Sequence, residues 1–242
     1  MNMKRIRFAF LFVFAFAIVL FALFRYTSQE NLSALKASTD RLKDSVIIID
    51  AGHGGVDGGT VARDGTLEKD INLSIALKLN DILRINGIQT RLTRAEDISI
   101  HDADARTIRQ KKISDIHNRL KIIEETENCV FVSIHQNHYT QSKYHGTQVF
   151  YSGNHPNSSI LADSIQRAVS ALLQPENARE TKKSGTQIYL LYHAQKPAVM
   201  VECGFLSNDS ETEQLKTEKY QYQLAVSIYN GILNFFSDAE EV

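Results

Sequence analysis

Three proton-active side chains stand where apolar runs of the chain end. His53 follows "VIIID" inside "AGHGG", His135 follows "VFVSI", and Glu202 follows "PAVMV". In open α/β sheets, functional groups gather just past the carboxyl ends of strands, so three such groups on one edge make a site. Two imidazoles and a carboxylate are the usual protein ligands of a hydrolytic zinc centre that keeps one position open. His53 and His135 supply the imidazoles, and the best carboxylate is Glu68 in "GTLEKD", at a helix start that a loop brings back toward His53. The ligands are scattered, with none of the spacing of a helical H-E-x-x-H motif. Each has a plainer reading, as a structural histidine or as a first-turn carboxylate favoured by the helix dipole.

Glu202 shifts the balance. A carboxylate after Ala198–Val201, at a buried strand end, has to be paired, metal-bound or shifted in pKa. Beside a metal site it suits a general base that takes a proton from water and passes it to a leaving nitrogen. The plainer alternative is a strand-end salt bridge to Arg63 or Arg94. The stretch "GHGGVDGG" also raises the question of a phosphate loop. It fits neither G-x-x-x-x-G-K-[ST] nor a clean G-x-G-x-x-G, and no lysine or serine opens the following helix for a nucleotide.

The elements that must position these groups can be read from periodicity. "SVIIID" (45–50), "CVFVSIH" (129–135) and "PAVMVECGF" (197–205) are apolar runs of the kind found in strands covered on both faces. "IQTRLTR" (88–94) and "GTQVFYS" (146–152) read as further strands, the latter as an extended edge able to lie along substrate. "QIYLLYH" reads as a short strand. Ile71, Ile75, Leu79, Ile82 and Leu83 recur at helical spacing, ended by Gly87. A second helix is expected to turn Ile108, Ile113, Ile116, Leu120 and Ile123 inward, a third runs up to Pro175, and two more close the chain. Alternating strands and helices imply a single three-layer α/β domain with a mostly parallel central sheet flanked by helices.

The bulk properties limit the rest. With 242 residues, 43% hydrophobic and 23% charged, the chain is an ordinary globular protein of one sizeable domain. A formal net charge of −1 gives no sign of a nucleic-acid partner. Cys129 and Cys203 are too few for a disulfide scaffold or a cysteine zinc site, and their apolar settings favour two buried thiols. Residues 1–24 carry Lys4, Arg5 and Arg7 ahead of an uncharged run from Phe8 to Phe24, the layout of a signal peptide or an uncleaved membrane-type helix. The absence of a small-x-small site favours the anchor, with its positive end inside and the rest exported. Residues 25–44 read as a polar tether and 45–242 as the catalytic domain.

Four pieces, "IIIDAGHGGVDGG", "LEKDINL", "FVSIHQN" and "VECGFLSN", stand in this order over roughly residues 45 to 236. Together they resemble the zinc-dependent N-acetylmuramoyl-L-alanine amidases of the amidase type 3 family. The resemblance implies Zn²⁺ held by His53, Glu68 and His135, with Glu202 as catalytic base. It implies hydrolysis of the amide between N-acetylmuramic acid and the L-alanine of the stem peptide, with a peptidoglycan glycan strand as the macromolecular partner. Two departures leave every ligand in place. Ala51 stands where the family commonly has proline, and His138 follows Asn137 where alanine is usual. By position Asn137 is a candidate for substrate contact, and His138 is a candidate for contact with substrate or metal, with a plain loop residue as the alternative.

The short chain, its N-terminal segment and "SGTQIYLLYHAQKPAVMVECGFLSN" resemble the sporulation branch, whose members prepare cortex peptidoglycan for conversion to muramic-δ-lactam. That implies an exported protein, membrane-anchored or secreted, in the intermembrane space or cortex of a forming spore. Without a wall-binding domain it is expected to use an accessory exported protein for placement. A zinc carboxypeptidase cutting within the stem peptide, and a non-catalytic membrane-anchored peptidoglycan-binding protein, are the competing readings.

Overall fold

The structure, a computed structural model, describes residues 39–238 continuously and a few isolated residues between 16 and 36. Most of the segment expected to anchor the chain, and half of the expected tether, fall outside the described residues. Among those described, no helix is long and apolar enough to cross a membrane.

Six strands form one sheet, β1 (Val46–Ala51), β2 (Gln89–Leu92), β3 (Cys129–Asn137), β4 (Gln148–Tyr151), β5 (Lys182–Lys183) and β6 (Ala198–Phe205). Their order is β2-β1-β3-β6-β4-β5, and every pairing is parallel except that of β4 with β6. The helices that follow β1 are α1 (Glu68–Ile85), α2 (Ile108–Glu125), α3 (Asn157–Leu172), α4 (Tyr189–His193), α5 (Asp209–Leu215) and α6 (Glu218–Asp238), and residues 39–44 before β1 are helical too.

Strand periodicity divides the core in two. Ile47, Ile49, Val130, Val132, Val199 and Val201 face one side, where they meet Ile75 and Leu79 of α1, Ile165 of α3 and Ile228 of α6. Ile48, Phe131 and Met200 face the other and meet Ile123 of α2 with Leu190 and Leu191 of α4. The layers are therefore helix, sheet, helix, as alternation of buried strands with amphipathic helices requires. Leu42, inside the span read as tether, is buried in the larger core, and Arg41 donates to the Phe236 carbonyl. Cys129 and Cys203 are free, buried thiols.

Three local expectations are corrected. "QIYLLYH" is the short helix α4, because Leu190 and Leu191 both have to reach the second core, and a short apolar run does not distinguish helix from strand. The β4 strand is not an open edge, since it pairs with β6 on one side and β5 on the other. Ile108 and Ile113 are exposed at 62% and 45%. The α2 helix starts at a capping box between Thr107 and Gln110 and meets the sheet through its second half. Along the same helix Lys112, Asp115 and Arg119 line a groove instead of joining the apolar core. The true edges are β2, where Gln89 and Arg91 are exposed, and β5, whose two residues are both exposed lysines.

Candidate metal centre

The same alternation that builds the second core also builds the site. Along β1, Ile48 is followed on its face by Asp50. Along β3, Phe131 is followed by Ser133 and His135, and along β6 Met200 is followed by Glu202. The apolar layer thus gives way to a polar one at the carboxyl edge. His135 and Glu202 are register partners in the parallel β3–β6 pair, so they stand side by side.

His53 arrives on the loop after β1 in a left-handed conformation, φ 62°, followed by Gly54 and Gly55, also at positive φ. A non-glycine residue there is uncommon, and its cost is met by bonds that fix the loop. Buried Arg94 donates to the carbonyls of Ala51, Gly52 and Lys69, and buried Arg119 to those of Ala51 and His53. Arg119 also pairs with Asp50, which accepts from Ser133 and Thr93. Burial alone would raise the Asp50 carboxyl, but Arg119 and the two hydroxyls hold it below its ordinary value.

Glu68 opens α1 and is 3% exposed. Its Oε1 lies 2.9 Å from His135 Nδ1 and 3.1 Å from the Gln136 N–H, and its Oε2 lies 2.8 Å from the Thr60 N–H and 3.3 Å from His53 Nε2. The two imidazole rings meet edge to face with centroids 4.9 Å apart. One donor atom from each of His53, Glu68 and His135 lies within 4.8 Å of the others. Burial opposes a charge on His53, yet the carboxylates of Asp57 and Glu68 raise it to about 9. Burial likewise works against the charge on Glu68, and the two histidines outweigh it, leaving the carboxyl well below its usual range.

The donor set fits a divalent metal of zinc type. Two imidazoles and a carboxylate converge on one point, each able to offer one ligand atom. Small residues make the convergence possible. A Cβ on Gly52 would fall 2.1 Å from His135 Nε2, and one on Gly59 2.6 Å from Glu68 Oε2 and 2.7 Å from the His53 ring. Asp57 accepts from His53 Nδ1 at 2.9 Å, which leaves Nε2 facing Glu68, and is itself held by Lys112 at 2.7 Å. This orienting carboxylate, four residues past His53, was missed in the sequence, although "HGGVD" offered it. Arg94, Arg119 and Asp50 were missed as site supports because nothing in their spacing joins them.

Glu202 pairs with neither arginine considered for it, since Arg63 meets Asp209 and Arg94 is committed to carbonyls. Its Oε2 is buried without a hydrogen-bond partner. Burial, aided by the Glu68 charge, pushes its carboxyl up to about 7. Asn137 ends β3 half-buried, His138 is exposed just beyond, and neither joins the three-ligand cluster. A groove of about 320 Å³ reaches His53 and His135 between α2 and the segment Gln187–Leu190.

Known proteins share this arrangement of elements. The germination-specific N-acetylmuramoyl-L-alanine amidase of Bacillus subtilis is 36% identical over 221 residues, covering 91% of this chain and 92% of that protein. The CwlD amidase of Clostridioides difficile, solved in complex with the GerS lipoprotein, is 42% identical with a TM-score of 0.77, over 80% of this chain and 98% of that one. An amidase of Nostoc punctiforme gives a TM-score of 0.67 at 29% identity, over 78% of this chain and 96% of that one. The family model described as N-acetylmuramoyl-L-alanine amidase matches residues 47–234. With that match spanning all but the first residue of the sheet and all four candidate groups, the chain belongs to the N-acetylmuramoyl-L-alanine amidases and resembles their germination-specific, spore-cortex branch.

Proposed function

We propose that this amidase holds Zn²⁺ through His53, Glu68 and His135 and uses Glu202 as its base on the muramoyl–alanine amide of peptidoglycan. The observation that carries the reading is the buried, unpartnered Glu202 Oε2 beside His135. Zinc in that cluster supplies Lewis acidity toward the amide carbonyl and toward water. Asp57 keeps the proton of His53 on Nδ1, so that Nε2 stays available to the metal. Glu202 takes a proton from the attacking water and delivers it to the alanine nitrogen as the carbon–nitrogen bond breaks. The products are a muramic acid with a free lactyl carboxylate and an intact stem peptide. Asn137 and His138 flank the incoming glycan.

The likeness to a germination-specific amidase supports a substrate in spore cortex, and we propose that peptide removal there leads on to muramic-δ-lactam. We further place the chain outside the cytoplasmic membrane, anchored by residues 1–24 and spaced by the polar stretch after it. The likeness to an amidase solved with a lipoprotein supports an exported accessory partner.

The test is mass analysis of peptidoglycan digested by the detergent-solubilised full chain, with and without chelator. Intact stem peptide should appear, and chelation should stop its release. Shortened peptides would instead support a carboxypeptidase. Asp57→Asn, which keeps the shape and loses the charge, should weaken zinc binding by about 10–100-fold. Competition with a chromogenic chelator measures this, and an unchanged affinity would remove Asp57 from the site.

A further inference from the structure

Arg179 holds its guanidinium in a fixed setting with no carboxylate in a salt bridge to it among the described residues. It is half-buried, and its Nε donates to the His145 carbonyl at 2.8 Å, which fixes one edge of the guanidinium. Its Cζ lies 4.6 Å from the Phe205 ring centroid and 5.9 Å from that of Tyr144, while Lys143 Nζ lies 5.3 Å from the Tyr144 centroid. Among the described residues Arg179 forms no ion pair, and its Nε is tied to a carbonyl. The neighbouring carboxylate of Glu211 is already engaged, accepting the backbone N–H groups of Gly146 and Phe205. A guanidinium stacked on aromatic rings and tied through Nε keeps its two terminal nitrogens as a rigid fork, matched to a planar carboxylate.

Its place in the fold names the occupant. Phe205 lies three residues beyond Glu202 on β6, roughly 10 Å at a strand's rise per residue. Because β4 runs antiparallel to β6, the segment leading into β4, with His145, comes back to this same carboxyl edge. We infer that Arg179 binds a carboxylate of the stem peptide, just past the alanine whose amide is cleaved, and so selects a free carboxylate over a carboxamide there. The inference rests on the amidase reading, in which that peptide leaves from Glu202.

Two muramoyl-dipeptides settle it, one carrying a carboxylate and one a carboxamide on the residue after alanine. The wild-type protein should favour the carboxylate about tenfold in kcat/KM, with the difference in KM. Arg179→Ala should erase the preference, and Arg179→Lys, which keeps the charge without the fork, should retain only part of it. A wild-type enzyme without preference, or Arg179→Ala with the full preference, overturns the proposal. If the wild-type protein cleaves neither compound, the amidase reading fails on its own. NMR titration of the full chain with the two free peptides then decides on Arg179, and equal affinities overturn it. Should Arg179→Ala not fold, as judged by its thermal melt, the comparison between Arg179→Lys and wild type carries the test.

Discussion

Glu202→Gln is expected to lower kcat for muramoyl–alanine cleavage by about 10²–10⁴-fold, the usual contribution of a positioned general base, while zinc binding stays close to wild type. The same substitution should raise stability, which separates a catalytic carboxylate from a structural one. Glu202 has no hydrogen-bond partner at Oε2, and burial lifts its carboxyl from 4.5 to about 7. A folded-state pKa above the unfolded value means that stability is fully present below pH 4.5 and is lost as pH rises through 7. In chelator at pH 8, wild type therefore carries a penalty on the order of 3 kcal/mol that the glutamine variant lacks. The variant should melt higher than wild type at pH 8 and close to it at pH 4. Thermal melts across pH check this, and a variant less stable than wild type at pH 8 would mark Glu202 as a structural group.

Loss of Glu68 should have the other large effect. Its two oxygens are shared among both histidines, the Thr60 and Gln136 N–H groups and Asn72, so no other residue can replace it. Glu68→Ala should abolish zinc binding and cost about 3–5 kcal/mol in the metal-free protein, as removal of one partner from a buried ion pair does. Chelation of the wild-type protein should stop activity without that structural cost, because protons then hold the cluster together.

The pH dependence follows from the same cluster. His53, raised from 6.5 to about 9, stabilises fully below pH 6.5 and stops doing so as pH rises through 9. Glu68, lowered from 4.5, stabilises above that value and loses its contribution on acidification. The chelated protein should thus be most stable near pH 4.5, decline from there as Glu202 ionises and further above 6.5 as His53 loses its proton, and zinc should remove the His53 part of that decline. Because the metal replaces the proton on His53, calorimetry in buffers of different ionisation enthalpy should show about one proton released per zinc at pH 7.5. No proton release, or tight zinc binding by Glu68→Ala, would contradict the ligand set.

The polar groups that end apolar strands were readable from the sequence, because period-two alternation puts His135 and Glu202 on the face of Phe131 and Met200 whatever the rest of the chain does. Glu68 and His53 were readable as partners through the family motifs more than through spacing. Arg119 was not readable. In an amphipathic helix it looks like any solvated arginine, and only the packing of α2 over β1 brings it to Asp50 and the His53 carbonyl. The antiparallel course of β4 was equally hidden, since a strand's own residues do not state its direction. The helical state of Tyr189–His193 depends on both leucines finding one core, which is tertiary information.

The two lysines that make up β5 have a consequence outside the active site. A sheet with an open flank can recruit a strand from a second molecule, and a short charged margin discourages this. Lys182 and Lys183 close one flank after two residues, while Arg91 charges the other. Borders of this kind disfavour edge-to-edge pairing between copies of the chain.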